Sequence, residues 1–227
     1  MTGLLRSARV LALRVNFYPF AATTCALIGV TGFFTLTATG RSITTHTLQQ
    51  VGWAPRDLVA LDIGRMLFSA LVTNGGLVFW MALALTALFV GLAEHYAGSP
   101  MAAATFWGVH LATLGVMLAV SLPLHLAGDS LGTLVYATRD VGPSAGYVGC
   151  LGLAIVCSKR RERWWVLGAT AVVLATVLAR SLWGSGTEAI DVSANLAHAV
   201  ALPIGASFGL LYLRRTRQES LRANRSA

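Results

Sequence analysis

Two residues of this chain have the types and settings that could do chemistry together. Ser144 stands in Gly142-Pro143-Ser144-Ala145-Gly146, at the start of an apolar stretch rich in small residues, and His198 stands in Asn195-Leu196-Ala197-His198, early in the last apolar stretch. A serine with a histidine is the minimal nucleophile and general base, the imidazole accepting the hydroxyl proton as the oxygen attacks a carbonyl. Gly-x-Ser-x-Gly is also the nucleophile elbow of strand-turn-helix hydrolases, a context that a chain this apolar does not supply. The plainer alternative is that Ser144 caps a helix while the glycines permit close packing.

The elements that must hold these residues follow from composition. Of 227 residues, 56% are apolar and only 11% charged, and mean hydropathy is +0.68. An ordinary soluble domain is roughly 25% charged, so the chain reads as an all-α, multi-span membrane protein. Six apolar stretches of about bilayer length emerge, at about 17–38, 66–93, 101–124, 142–158, 164–183 and 192–213. The fourth is short, follows Arg139-Asp140, and is expected to begin below the membrane surface in a cavity of the bundle. Arg6, Arg9 and Arg14 flank a first span rather than a cleaved leader. Residues 1–16 form an N-terminal arm, 17–213 the membrane domain and 214–227 a basic tail.

Net charge is +8, from 17 Lys+Arg against 9 Asp+Glu. Twelve basic residues fall on the arm, the connection around Lys159 to Arg163, and the tail; five fall on the opposite face with most of the acids. Positive charge that alternates with the loops is a topology signal. It predicts both termini cytoplasmic in a cell (inner) membrane, some attraction to anionic lipid headgroups, and no nucleic-acid partner. One lysine among the basic residues, with abundant Ala and Gly, points to a GC-rich bacterial genome. Cys25, Cys150 and Cys157 have no metal-type spacing and read as buried free thiols; no metal or cofactor is expected. No internal repeat is evident.

Depth links the serine to the histidine. Ser144 lies 15 residues from Lys159, or about 22 Å at 1.5 Å per residue, and His198 lies 16 residues from Arg214, or about 24 Å. Both side chains therefore sit at one level, toward the outer face. Ala197, Ala201, Gly205 and Gly209 form a small-residue stripe, and Gly142, Gly146 and Gly149 another, which predicts that the fourth and sixth helices are neighbours.

On these features the chain resembles the rhomboid family of intramembrane serine proteases, over about residues 65–213. Gly142-x-Ser144, continuing to Gly149-x-Leu151-Gly152, resembles the family's serine loop and following helix. Ala197-His198 with Gly205 resembles its last helix. Gly91-Leu92-Ala93-Glu94-His95-Tyr96-Ala97-Gly98 resembles the exit of its second helix, with Gly91 and Glu94 three apart rather than four. The resemblance implies a six-helix rhomboid-like bundle, Ser144 as nucleophile and His198 as base, no cofactor, and transmembrane protein substrates cleaved near the outer leaflet. Trp53 and Arg56 would lie in the long outer first loop.

The departures are specific. Where the family typically carries His-x-x-x-Asn in the second helix to bind the oxyanion, this chain has Val78 and Ala82. Ala145 replaces a glycine, and Pro143 removes a backbone N–H beside the serine. Asn74, four residues before Val78, is a candidate replacement donor one helical turn nearer the outside, or else a polar residue at the membrane interface; His125 stands similarly. Glu94 and His95 read as a solvated turn, and His110 as a satisfied helix–helix contact. Three functions follow: an intramembrane serine endopeptidase; a pseudoprotease that binds transmembrane segments or partner proteins without cutting them; and, with least support, a small transporter.

Overall fold

The computed structural model describes residues 18–158, 160–183 and 189–226. The arm over 1–17, Lys159 and Glu188 lie outside these residues, and with them part of the charge alternation. Apart from two isolated bridges, the regular structure described is helical. In chain order it comprises α1 (Pro19–Phe34), α2 (Thr45–Val51), α3 (Pro55–Val59), α4 (Ile63–Phe68), α5 (Leu77–Ala97), α6 (Ser99–Leu126), α7 (Ser130–Ala137), α8 (Ser144–Cys157), α9 (Arg163–Trp183) and α10 (Ala189–Ser226).

Among the described residues, four helices are long and apolar enough to cross a membrane: α5, α6, α9 and residues 190–224 of α10. The other two apolar stretches form shorter helices. The 16 residues of α1 and 14 of α8 reach about 24 and 21 Å at 1.5 Å per residue, against about 30 Å of hydrocarbon. The reason differs from one to the other. α1 ends where Leu36 turns left-handed (φ 61°). α8 is wrapped by protein, with every residue but Ser144 and Leu151 buried, so its length need not match lipid.

The second stretch departs most from expectation. Residues 66–76 do not belong to one long helix: α4 ends at Phe68, a single 3-10 turn covers Ser69–Leu71, and Gly75 and Gly76 with positive φ break the chain before α5. Asn74 therefore sits in this break, not on a helical face above Val78. The long connection after α1 is likewise not a plain loop but carries α2, α3 and α4.

α8 packs against α5, α6 and α10, and most closely against α10. Glycine permits this. A Cβ on Gly205 would lie 1.9 Å from the Gly149 carbonyl oxygen, and one on Gly152 would lie 2.5 Å from the Leu202 carbonyl oxygen, so the two backbones touch. Gly146 serves a different neighbour, giving room to the Phe106 ring of α6. Cys150 and Cys157 are buried in this packing and Cys25 is partly buried, all three free.

Glu94 is not in a solvated turn. It is buried, and its carboxylate accepts from the Phe20 N–H (3.0 Å), the Ala21 N–H (2.9 Å) and Ser99 Oγ (2.5 Å). The first N–H groups of a helix have no acceptor within it, and a carboxylate there also meets the positive end of the helix dipole. Glu94 thus ties the start of α1 to the end of α5. His95 is exposed, with Nδ1 2.9 Å from Tyr18 Oη.

The glycine seam makes a prediction with an internal control. Gly205→Ala is expected to destabilise by about 1–3 kcal/mol through overpacking. Gly168→Ala, with nothing within 4 Å of the new methyl, is expected to stabilise by up to about 1 kcal/mol through helix propensity. Thermal unfolding of both variants in detergent checks this; equal shifts of the same sign would contradict it.

Candidate active site

The site is assembled from three elements: the break before α5, the start of α8, and the first half of α10. Ser144 is the first residue of α8. Pro143 occupies the capping position and no side chain caps the helix, so the Ser144 hydroxyl is not used in the way the plainer alternative required. Ser144 Oγ forms no hydrogen bond among the described residues. His198 lies five residues before Pro203 in α10, and its Nε2 is buried without a hydrogen-bond partner.

Ser144 and His198 line one cavity of about 140 Å³, together with Thr73, Asn74, Val78 and Ala82. No hydrogen bond joins the serine to the histidine. Val78 and Ala82 present apolar walls at this level. Asn74 also faces the cavity, from the break before α5. Thr73 was not foreseen: its hydroxyl is buried, has no partner, and lines the same space. A threonine two residues before a Gly-Gly pair has no sequence signature that would have singled it out.

The segment that leads into α8 is held from outside the bundle. Arg139 is the centre of that hold. It reaches Asp57 of α3 through two hydrogen bonds of 2.6 and 3.1 Å, and also donates to the Gly52 carbonyl (2.7 Å) and Gln49 Oε1 (3.0 Å). Both charged side chains are about 10% exposed, and Asp57 also accepts from the Ala54 N–H at 2.8 Å. The next residue, Asp140, pairs its backbone with Trp53 in an antiparallel bridge, at 2.9 and 2.8 Å. The Gly142 N–H then donates to the Ser69 carbonyl at 2.9 Å. Gly142 has φ 151°, a conformation that side chains disfavour. These bonds fix the chain for three residues before Ser144.

Asp140 also faces the cavity and a smaller one of about 40 Å³ on the other side of Ser144. Three buried polar atoms without partners belong to residues lining that smaller space: Trp53 Nε1, His110 Nδ1 and Thr113 Oγ1. It offers these polar atoms to water and has room for at least one molecule. The other ring nitrogen of His110, Nε2, lies 2.8 Å from the Met66 carbonyl oxygen at the end of α4, so His110 is a contact only half satisfied. His125 stands apart, stacked on Tyr136 with Nδ1 3.1 Å from Thr133 Oγ1. Among the described residues, no group of His, Cys, Asp and Glu could hold a metal ion.

Burial pushes the Asp140 carboxyl up to about 6 from its ordinary 3.8. The Val141 N–H bond opposes that rise and the nearby Asp191 charge adds to it. Comparison with protein-family models, characterised proteins and solved structures gave no match.

The Asp140 shift sets a pH dependence. Below about pH 4 the group is neutral whether the chain is folded or not. Between about pH 4 and 6 the unfolded chain loses its proton first, so stability falls as pH rises, by on the order of 2–3 kcal/mol when the window is crossed. Asp140→Asn removes the ionisable group and keeps an oxygen for the Val141 N–H. The variant is expected to unfold at a higher temperature than wild type at pH 7.5 and at the same temperature near pH 4; an unchanged difference across that range would refute the assignment.

Proposed function

We propose that this chain is a rhomboid-like intramembrane serine endopeptidase. The proposal includes a six-helix arrangement in which α1 and α8 complete the four longer helices, with both termini cytoplasmic in a cell (inner) membrane. Its substrates are transmembrane protein segments, cut near the outer leaflet. The observation that carries it is one cavity lined by a serine and a histidine, with the hydroxyl and the buried Nε2 hydrogen-bonded to no other group among the described residues. Catalytic hydrogen bonds are often long in an empty site and tighten only with substrate bound.

In this reading Ser144 Oγ attacks the scissile carbonyl while His198 takes the hydroxyl proton. As the tetrahedral intermediate collapses, His198 returns the proton to the departing amine, and water then cleaves the acyl-serine by the reverse roles. Oxyanion charge falls to the N–H groups of the first turn of α8, which have no acceptor inside the helix. The Thr73 hydroxyl and the Asn74 amide, on the facing wall, supplement them. No cofactor takes part.

A second reading is favoured by a specific observation. Val78 and Ala82, not polar donors, face the cavity, and a pseudoprotease that holds transmembrane segments or partner proteins would need no donors there. A fluorophosphonate probe distinguishes the two. For the protease, labelling is expected to vanish in Ser144→Ala, to become very slow in His198→Ala, and to slow about 10²-fold in Thr73→Val or Asn74→Ala. Labelling that persists in Ser144→Ala, or is absent from a correctly folded wild type, leaves the pseudoprotease.

A further inference from the structure

At the end of α8 remote from Ser144, the bundle carries a second feature that does not depend on the reading of the serine. α5, α8 and α9 leave a cleft of about 520 Å³ between them, within the range of about 300–1,000 Å³ typical of small-molecule sites. The cleft exists because α9 does not close onto its neighbours: none of its residues is buried. Its walls are apolar, formed by Leu92 and Tyr96 of α5, Leu151, Ala154 and Ile155 of α8, and Val166 of α9. Its mouth is charged. Arg160 and Glu162, from the short connection between α8 and α9, and Arg163, the first residue of α9, line that end.

The guanidinium groups at the mouth make no ion pair among the described residues. Arg163 is oriented, its Nη1 donating to the Val156 and Ser158 carbonyls at 3.2 Å each and its guanidinium lying 5.1 Å from the Trp164 ring centroid. Neither it nor Arg160 forms an ion pair with Glu162 or with any other acid among the described residues. Arg161 beside them is exposed and equally unpaired. An uncompensated basic mouth leading into an apolar wall, at the point where two membrane helices end, matches one class of molecule.

We infer that this cleft binds an anionic glycerophospholipid, one acyl chain lying between α5, α8 and α9 and the phosphate between Arg160 and Arg163. The planar guanidinium fork suits phosphate oxygens, and basic pockets between membrane helices are where anionic headgroups lodge. An acyl chain gains little by leaving other acyl chains for this wall, since lipid tails are as apolar as leucine. Selectivity therefore resides in the headgroup, while the cleft sets its position. Glu162 is placed to accept hydrogen bonds from headgroup hydroxyls, as a glycerol headgroup offers. A free phosphate ion would use the arginines and leave the apolar walls unused.

The test uses the full chain purified in a zwitterionic detergent and native mass spectrometry. It is titrated with phosphatidylglycerol, with phosphatidylcholine of the same acyl chains, and with inorganic phosphate. Phosphatidylglycerol is expected to be retained about tenfold or more over phosphatidylcholine. Arg160→Gln, a side chain with no hydrogen bond or ion pair among the described residues, is expected to reduce that preference severalfold, and Arg160→Gln with Arg163→Gln to abolish it. Leu92→Trp, which fills the wall and leaves every charge in place, is expected to lower retention of phosphatidylglycerol as well. Equal retention of the two lipids, or retention unchanged by all three variants, overturns the inference. So does displacement of the lipid by inorganic phosphate with no effect of Leu92→Trp, which would reduce the site to a bare anion contact.

Discussion

The contact between the α8 and α10 backbones is the constraint on which the rest of the structure depends. Helices separated by ordinary side chains lie about 8–10 Å apart. Gly149, Gly152 and Gly205 remove the side chains from this interface, so carbonyl and Cα of one helix rest on the other. In a membrane this closeness matters more than in water, because no hydrophobic force gathers the helices and dispersion contact must do so. The seam also sets the register of the pair. With Gly205 fixed over Gly149, the start of α8 and the first half of α10 face a common space, and Ser144 and His198 line it together. Any side chain larger than hydrogen in the seam would move both walls of the cavity at once.

The connections before α5 and α8 complete what the seam begins. The chain entering α8 is secured by the Arg139–Asp57 pair and the Trp53–Asp140 bridge. A buried ion pair adds little net stability compared with apolar packing, but losing one partner leaves a buried charge and costs several kcal/mol. Its value here is geometric. Arg139 makes four hydrogen bonds to the segment Gln49–Asp57, and so holds the connection between α1 and α5 against the segment that delivers Ser144. Glu94 does the corresponding work at the other end of the bundle, where α1 meets α5.

Much of this was readable in the residues, and the parts that were not have physical reasons. Apolar runs and small-residue stripes are dense local signals, and they placed α8 beside α10 and Ser144 level with His198. Helix breaks are harder to read where apolar residues continue across them: Met66 to Val72 is as apolar as a span, and only Gly75-Gly76 marks the interruption that puts Asn74 in a loop. Buried polar pairings depend on residues far apart in sequence. Glu94 looked solvated because it lies among His95, Tyr96 and Gly98, and its partners are the N–H groups of Phe20 and Ala21, more than seventy residues away. Arg139 and Asp57 were counted as loop charges for the same reason. Thr73 and Asp140 reach the cavity by tertiary placement alone.

Electrostatics decides what such a cavity can do. An acyl-transfer site needs positive potential where the oxyanion forms, and preorganised donors in a dry cavity supply it at no cost in reorganisation. The walls at Val78 and Ala82 supply none. What remains is carried mainly by backbone: the N–H groups of Ser144, Ala145 and Gly146 begin α8, Pro143 before them has none to offer, and the helix dipole adds partial positive charge at that end. The partial ionisation of Asp140 works against it from the adjoining loop. A neutral Asp140 leaves the potential of the helix terminus intact, while an ionised one diminishes it, so the carboxyl that burdens stability above pH 6 also opposes the chemistry proposed for Ser144.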